Sequence, residues 1–202
     1  MKTKFLIDSI RSRRSVRNFF EKSISEKKIR ELLISAMYAP SAKNKQPWSF
    51  IVCTGRTKEK IFQSFYNSIE KSILNEDTVP KQLLMAKETA ILIKNAPVLI
   101  LVCYDNKQII KSKNDGTQWE IQCPQYECCD ILSIGASIQN LILEANNFGI
   151  SSLWICDILY AYDEISNIVN PNGTIVAGVL LGYSKSKPKI PQRDFDKVKW
   201  LE

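Results

Sequence analysis

Apolar positions along the chain change period several times, and each change marks an element. Phe5, Leu6, Ser9 and Ile10 predict a short first helix leading into a basic stretch. Ile29, Leu32, Leu33, Ala36 and Met37 form one helical stripe behind Ser25, a suitable N-cap, and Pro40 ends that helix near Ala39. Trp48–Cys53 reads as a strand ended by Gly55, and segments 57–74 and 80–94 read as helical or mixed. Pro97–Tyr104 is almost continuously aliphatic, the pattern of a strand buried on both faces, and polar 105–125 reads as a loop. From about 127 to 147, Ile131, Ile134, Ile138, Leu141, Ile142 and Ala145 recur at helical spacing, with Gly149 as the C-terminal cap. Ala136 and Leu143 widen that stripe, so this helix should be the most buried. Ser151–Cys156 predicts another strand, Asp163–Val169 a short helix, and Thr174–Gly182 a last strand before a basic tail. Strands separated by helices predict an α+β fold layered around one sheet, as a single domain over 1–202.

Composition narrows the chemistry. A 202-residue chain, 45% hydrophobic and 24% charged, buries roughly 70% of its unfolded surface and needs no staples. It contains no histidine, which excludes a Ser-His-Asp triad, a Cys-His dyad and histidine metal sites. The net charge of +7 favours anions, yet the basic residues are dispersed and no helix-turn-helix, zinc or aromatic-basic signature accompanies them. No nucleic-acid partner is expected. The N-terminus lacks a signal-peptide run and no stretch approaches a membrane span, so the expected setting is cytoplasmic with reduced cysteines. Cys53 and Cys103 lie in apolar runs and read as core. Cys123, Cys128 and Cys129 could offer three thiolates, but no second C-x-x-C pair or histidine completes a ligand set, and no metal is expected.

Three segments carry more hydrogen-bonding chemistry than packing requires. Arg13-Arg14-Ser15-Val16-Arg17 forms a cradle suited to a phosphate monoester, because guanidinium donors match phosphate oxygens in bidentate fashion. An exposed basic helix end is the competing reading. Ala39-Pro40-Ser41-Ala42-Lys43-Asn44-Lys45-Gln46-Pro47-Trp48 offers amides able to hold the edge of a planar heterocycle, or is simply a connector. Gly149–Asp157 passes from a helix cap directly into an apolar strand, a frequent setting for ligands.

Together these segments resemble the nitroreductase family of flavoproteins, in the family's order and over about Phe5 to Arg193. The run Arg-Arg-Ser-Val-Arg-Asn-Phe, the Ala-Pro-Ser-Ala-x-Asn-x-Gln-Pro-Trp loop, the Asp130-to-Asp157 helix and strand, and Gly182-Tyr183 followed by Arg193 carry the resemblance. It implies a mostly antiparallel central sheet flanked by helices, a homodimer, non-covalent FMN, and reduction of nitroaromatics or quinones with NAD(P)H. It further implies that Arg13, Ser15, Arg17 and Arg193 hold the FMN phosphate, with Arg14 on the ribityl or ring edge. Pro40, Ser41, Ala42, Asn44 and Gln46 would come from the other subunit to touch the isoalloxazine. Trp154, Ile155, Cys156 and Asp157 would line the flavin face, where many members carry Gly or Glu near the last two positions. Trp48 and the 130–147 helix would supply apolar interface area. No catalytic side chain is implied, since the cofactor carries the chemistry and the protein supplies orientation and electrostatics. Cys156 reads as a space-filling strand thiol, with a thiol acting beside the flavin as the other possibility. A specialised relative (dehalogenating, flavin-destroying or enoate-reducing) and a flavin carrier or redox sensor with little turnover stand as alternative functions.

Overall fold

Every residue of Val98–Tyr104 is buried, as an aliphatic run with no polar face requires. This strand sits inside a four-stranded sheet. The computed structural model describes residues 8–75, 78–105, 110–112, 119–121, 125–186, 188–194 and 196–201. In chain order these form α1 (Asp8–Ser12), α2 (Glu26–Met37), β1 (Trp48–Cys53), α3 (Gly55–Leu74), α4 (Lys81–Asn95), β2 (Val98–Tyr104), β3 (Ile110–Ser112), β4 (Trp119–Ile121), α5 (Gln125–Asn147), β5 (Ser151–Ile155), α6 (Tyr162–Val169) and β6 (Thr174–Gly182). Short 3-10 turns occupy Ala42–Asn44 and Asp157–Ala161. The main sheet has the order β1-β2-β6-β5, with each neighbouring pair antiparallel.

Side-chain alternation along β2 divides the core in two. Leu99, Leu101 and Cys103 pack on the α3, α4 and α6 side, with Ile61, Phe65, Ala90, Ile93 and Ile165. Val98, Ile100, Val102 and Tyr104 face α2 and α5, with Leu32, Ala36, Ile134, Ile138 and Leu141. The expected α+β layering with an antiparallel sheet flanked by helices is therefore present. Cys53 and Cys103 are core residues, and burial pushes their thiols up to about 11 and about 12.

Helix ends follow local chemistry. Gly149 adopts φ +67, the left-handed geometry that favours glycine. Ile150 N–H bonds the Ala145 carbonyl at 2.8 Å and Gly149 N–H bonds Asn146 at 3.1 Å, closing α5 with both bonds of a Schellman cap. Ser25 occupies the α2 N-cap position in extended geometry, but its hydroxyl makes no capping bond.

Three expectations need correction. The polar segment 105–125 is not all loop, since Ile110–Ser112 and Trp119–Ile121 pair as an antiparallel ribbon. Scattered Lys, Asn and Asp obscured two runs too short to show a period. Helix α5 is long and apolar enough by composition to cross a membrane, contrary to the expectation that no segment would be. Its apolar stripe is spent on the core, with Ile134, Ile138, Leu141, Ile142 and Ala145 buried. Trp48 is likewise buried in its own core and offers no interface area. Ile34, Met37 and Tyr38 of the α2 end, together with Leu132, are exposed instead.

Candidate functional site

The Arg13–Arg17 segment leaves α1 and runs beside β5. Ser15 bridges Ser152 in parallel register, and the Val16 N–H donates to the Ser152 carbonyl at 3.0 Å. Exposure alternates as an extended path requires: Val16 is buried while Ser15 and Arg17 face solvent. Two motifs separated by most of the chain thus share one edge.

Arg193, arriving from the tail, lies close enough to Arg13 to act on it electrostatically. The Arg13 guanidinium is held below its ordinary value, first by partial burial and then by the positive charges of Arg193 and Arg14. Like charges gathered at a half-buried place are unfavourable alone and favourable around an anion. Arg14 turns back on its own segment, donating from Nη1 to the carbonyls of Arg11 (2.6 Å) and Arg13 (2.7 Å). Its Nε is buried without a hydrogen-bond partner, an uncompensated donor. Beside it opens a cavity of about 430 Å3, lined in part by Ser12, Arg14, Asn146, Ser151, Ser152 and Ser186. That volume falls in the range that holds small ligands.

At the far end of β5, Trp154 is 41% exposed. Ile155 is buried under the sheet. Cys156 lies past the strand end and is exposed, so the expected space-filling strand thiol is not what the fold makes of it. Its thiol is nonetheless raised, by local desolvation and then by Asp157. The Asp157 carboxylate accepts a hydrogen bond from Thr89 Oγ1 of α4 at 2.7 Å, which ties the turn to the helix layer. Burial, then Asp157, raises Tyr160 nearby.

The Pro40–Gln46 loop is conformationally unusual. Lys43, Asn44 and Gln46 all have positive φ (52, 54 and 49), although none is glycine. Asn tolerates this region; for Lys and Gln it costs roughly 1–3 kcal/mol each and persists only where the surroundings over-determine it. Within the loop, Ser41 Oγ accepts the Gln46 N–H at 3.0 Å and the Ser41 carbonyl accepts the Asn44 N–H at 3.1 Å. Pro40, Ala42, Asn44 and Gln46 are exposed and Ser41 is half-buried.

Outside the loop, the Lys45 ammonium reaches the Oδ2 of Asp130, a carboxylate with 3% side-chain exposure. Tyr104 donates its hydroxyl to the same oxygen at 2.7 Å. These three residues did not figure among the site residues read from the sequence, although a signal existed. Asp130 occupies the register of Ile134 and Ile138 on the buried stripe of α5, and a carboxylate there requires a partner.

The fold brings Arg13, Arg14, Ser15 and Ser152 together with Arg193 within electrostatic reach of Arg13, and it sets the Pro40–Gln46 loop apart from them. Asp130, which meets the loop, and Asn146, which lines the arginine cavity, lie at opposite ends of α5, about 24 Å apart along its axis. Among the described residues no cluster of potential ligands could hold a metal ion; Cys123 lies outside the described residues, while Cys128 and Cys129 are exposed near the start of α5.

Comparison with known proteins shows the family and the fold. The family model described as the Nitroreductase family matches residues 10–183. A protein of Archaeoglobus fulgidus, provisionally named NADH dehydrogenase/NAD(P)H nitroreductase, is 29% identical over 191 residues, covering 92% of this chain and 88% of that one. A crystal structure of a BluB-like flavoprotein from Clostridium difficile 630 superposes with a TM-score of 0.72 at 26% identity, covering 96% of this chain and 98% of the other. The FMN-dependent nitroreductase NfnB of Mycobacterium smegmatis, solved in complex with NADPH, has a TM-score of 0.71 at 18% identity over 96% of each chain, a likeness of fold.

Proposed function

The chain belongs to the nitroreductase family, and on that premise we propose that it is an FMN-dependent oxidoreductase taking reducing equivalents from NAD(P)H to nitroaromatic, quinone or similar acceptors. The observation that carries this reading is the Ser15–Ser152 bridge, which holds Arg13 and Arg14 at one edge with Arg193 in electrostatic reach of Arg13 and the Arg14 Nε buried without a partner. A dianionic phosphate monoester answers each feature. It neutralises the gathered guanidiniums and can accept from serine hydroxyls. These residues therefore fit FMN.

In this reading Arg13, Ser15, Arg17 and Arg193 bind the phosphate, and Arg14 lies beside the ribityl chain. Trp154, Ile155, Cys156 and Asp157 shape the wall against the ring, with Thr89 holding the Asp157 turn in place. Pro40, Ser41, Ala42, Asn44 and Gln46 approach the ring from a second copy of the chain. The separation of this loop from the arginines along α5 supports a shared site, as do the exposed Ile34, Met37, Tyr38 and Leu132 and the exposed tail residues Ile190, Val198, Trp200 and Leu201. When bound, FMN supplies the redox chemistry. The chain's own part is to bind the phosphate, orient the ring and keep water from its face, so no side chain is assigned a catalytic step. One ring face admits one substrate at a time, which makes the expected kinetics ping-pong. One nitroreductase-like unit over 1–202 is the organisation proposed.

Acid release of the ligand from purified protein tests the reading directly. FMN in near-stoichiometric amount is expected. Release of FAD, or failure of the apoprotein to take up FMN, would overturn it.

A further inference from the structure

The buried Asp130 carboxylate has no part in the function just described, yet its contacts reach into the loop that does. Two donors converge on its Oδ2, the Tyr104 hydroxyl from the end of β2 and the Lys45 ammonium from the loop. The ammonium also stands 5.9 Å from the centroid of the Tyr104 ring. A carboxylate enclosed by an apolar core requires a charged partner, and Asp130 forms its ion pair with Lys45, a side chain otherwise 59% exposed. The requirement therefore falls on the loop: Lys45 must stay where Asp130 can reach it.

Lys45 lies between Asn44 and Gln46, two of the three left-handed residues. Their side-chain amides are those expected at the flavin ring edge. Among the described residues, the loop's remaining bonds between Ser41 and Gln46 are internal to it: the Asn44 N–H donates to the Ser41 carbonyl, the Gln46 N–H to Ser41 Oγ, the Lys45 N–H to the Ala42 carbonyl, and Gln46 Nε2 to the Asn44 carbonyl. Internal bonds preserve a local shape but do not fix it relative to the sheet. An anchored residue between left-handed Asn44 and Gln46, with strained Lys43 two positions before it, fixes the backbone path through all three.

Resting on the flavin reading above, we propose that Asp130 is a positioning residue which, through Lys45, holds the Ser41–Gln46 loop in the left-handed shape that receives the ring. The role is one of preorganisation. Without the anchor, the strained residues relax, the competent loop becomes a fraction of the population, and apparent flavin affinity falls by that fraction.

Lys45→Met tests this without disturbing the buried carboxylate's own residue, and Lys45→Arg restores a charged donor. Apoprotein is titrated with FMN by fluorescence, and amide exchange of peptides spanning 41–47 is followed by mass spectrometry. Lys45→Met should bind FMN about tenfold more weakly and exchange faster across 41–47, with both effects largely reversed in Lys45→Arg. A change in the absorbance spectrum of the flavin bound to Lys45→Met should accompany them. If Lys45→Met keeps wild-type affinity and wild-type exchange, Asp130 does not position the loop, and the flavin reading stands. If the wild-type protein takes up no FMN, the flavin reading fails, and exchange across 41–47 alone decides whether Asp130 anchors the loop.

Discussion

Ser15 and Ser152 stand side by side in a parallel bridge, although 137 positions separate them in the chain. The bridge adds one pairing beyond the edge of β5 and fixes the arginine segment against the strand that leads to Trp154 and Cys156. In an extended path, Arg13, Ser15 and Arg17 project to one side while Val16 anchors the other in the core. Solvent-facing donors and core packing are thereby divided between alternate residues.

Removing one guanidinium from this edge should weaken FMN binding without unfolding the chain. Arg13→Ala or Arg17→Ala loses a charge-assisted contact of about 1.5–3 kcal/mol, roughly ten- to hundredfold in Kd. Fluorescence titration of apoprotein measures it. Wild-type affinity in both variants would remove the phosphate cradle from this edge.

The exposed apolar residues at the end of α2 should be covered in solution by a second copy. Light scattering is expected to give a dimer, and Ile34→Asp combined with Met37→Asp should shift it to monomer with lower flavin content. A wild-type monomer that carries a full complement of flavin would rule out a shared site.

Initial rates with both substrates varied should give parallel double-reciprocal lines. Rates at subsaturating NAD(P)H should fall as salt rises, because the net charge of +7 attracts a polyanionic cofactor. Intersecting lines would point to a ternary complex.

Cys156 has its thiol raised by local desolvation and by Asp157, so the thiolate fraction at neutral pH is smaller than for an ordinary cysteine. Site-resolved alkylation should therefore be slow near pH 7 and accelerate as pH rises beyond the ordinary thiol range. Cys156→Ser should retain acceptor turnover. Loss of turnover with FMN still bound would make the thiol part of the chemistry.

Gly149→Ala tests the α5 cap. Placing a side chain at φ +67 should cost about 1 kcal/mol or more, a Tm decrease of roughly 2–4 °C for a chain of this size, because L residues disfavour that region. No shift in the melting curve would mean the cap does not limit stability.

Elements with a strong period were legible from the sequence alone. The stripe of α2, the unbroken run of β2 and the capped stripe of α5 each state how a segment must be buried, and the fold obeys them. The arginine motif and the amide loop were legible as well, because clustered donors have little to do in packing. The β3–β4 ribbon was not, since three-residue strands carry too little pattern.

What the chain determined by itself is local: which faces are apolar, where helices stop, which segments gather guanidinium and amide donors, and that no histidine can act. Only the tertiary structure decided which of these meet. The sheet order sets Ser152 against Ser15, the tail returns Arg193 to Arg13, and α5 carries Asp130 to Lys45 across 85 positions. Such pairings arise from strand order and helix packing, which satisfy burial for the whole chain at once, so no spacing along the sequence encodes them.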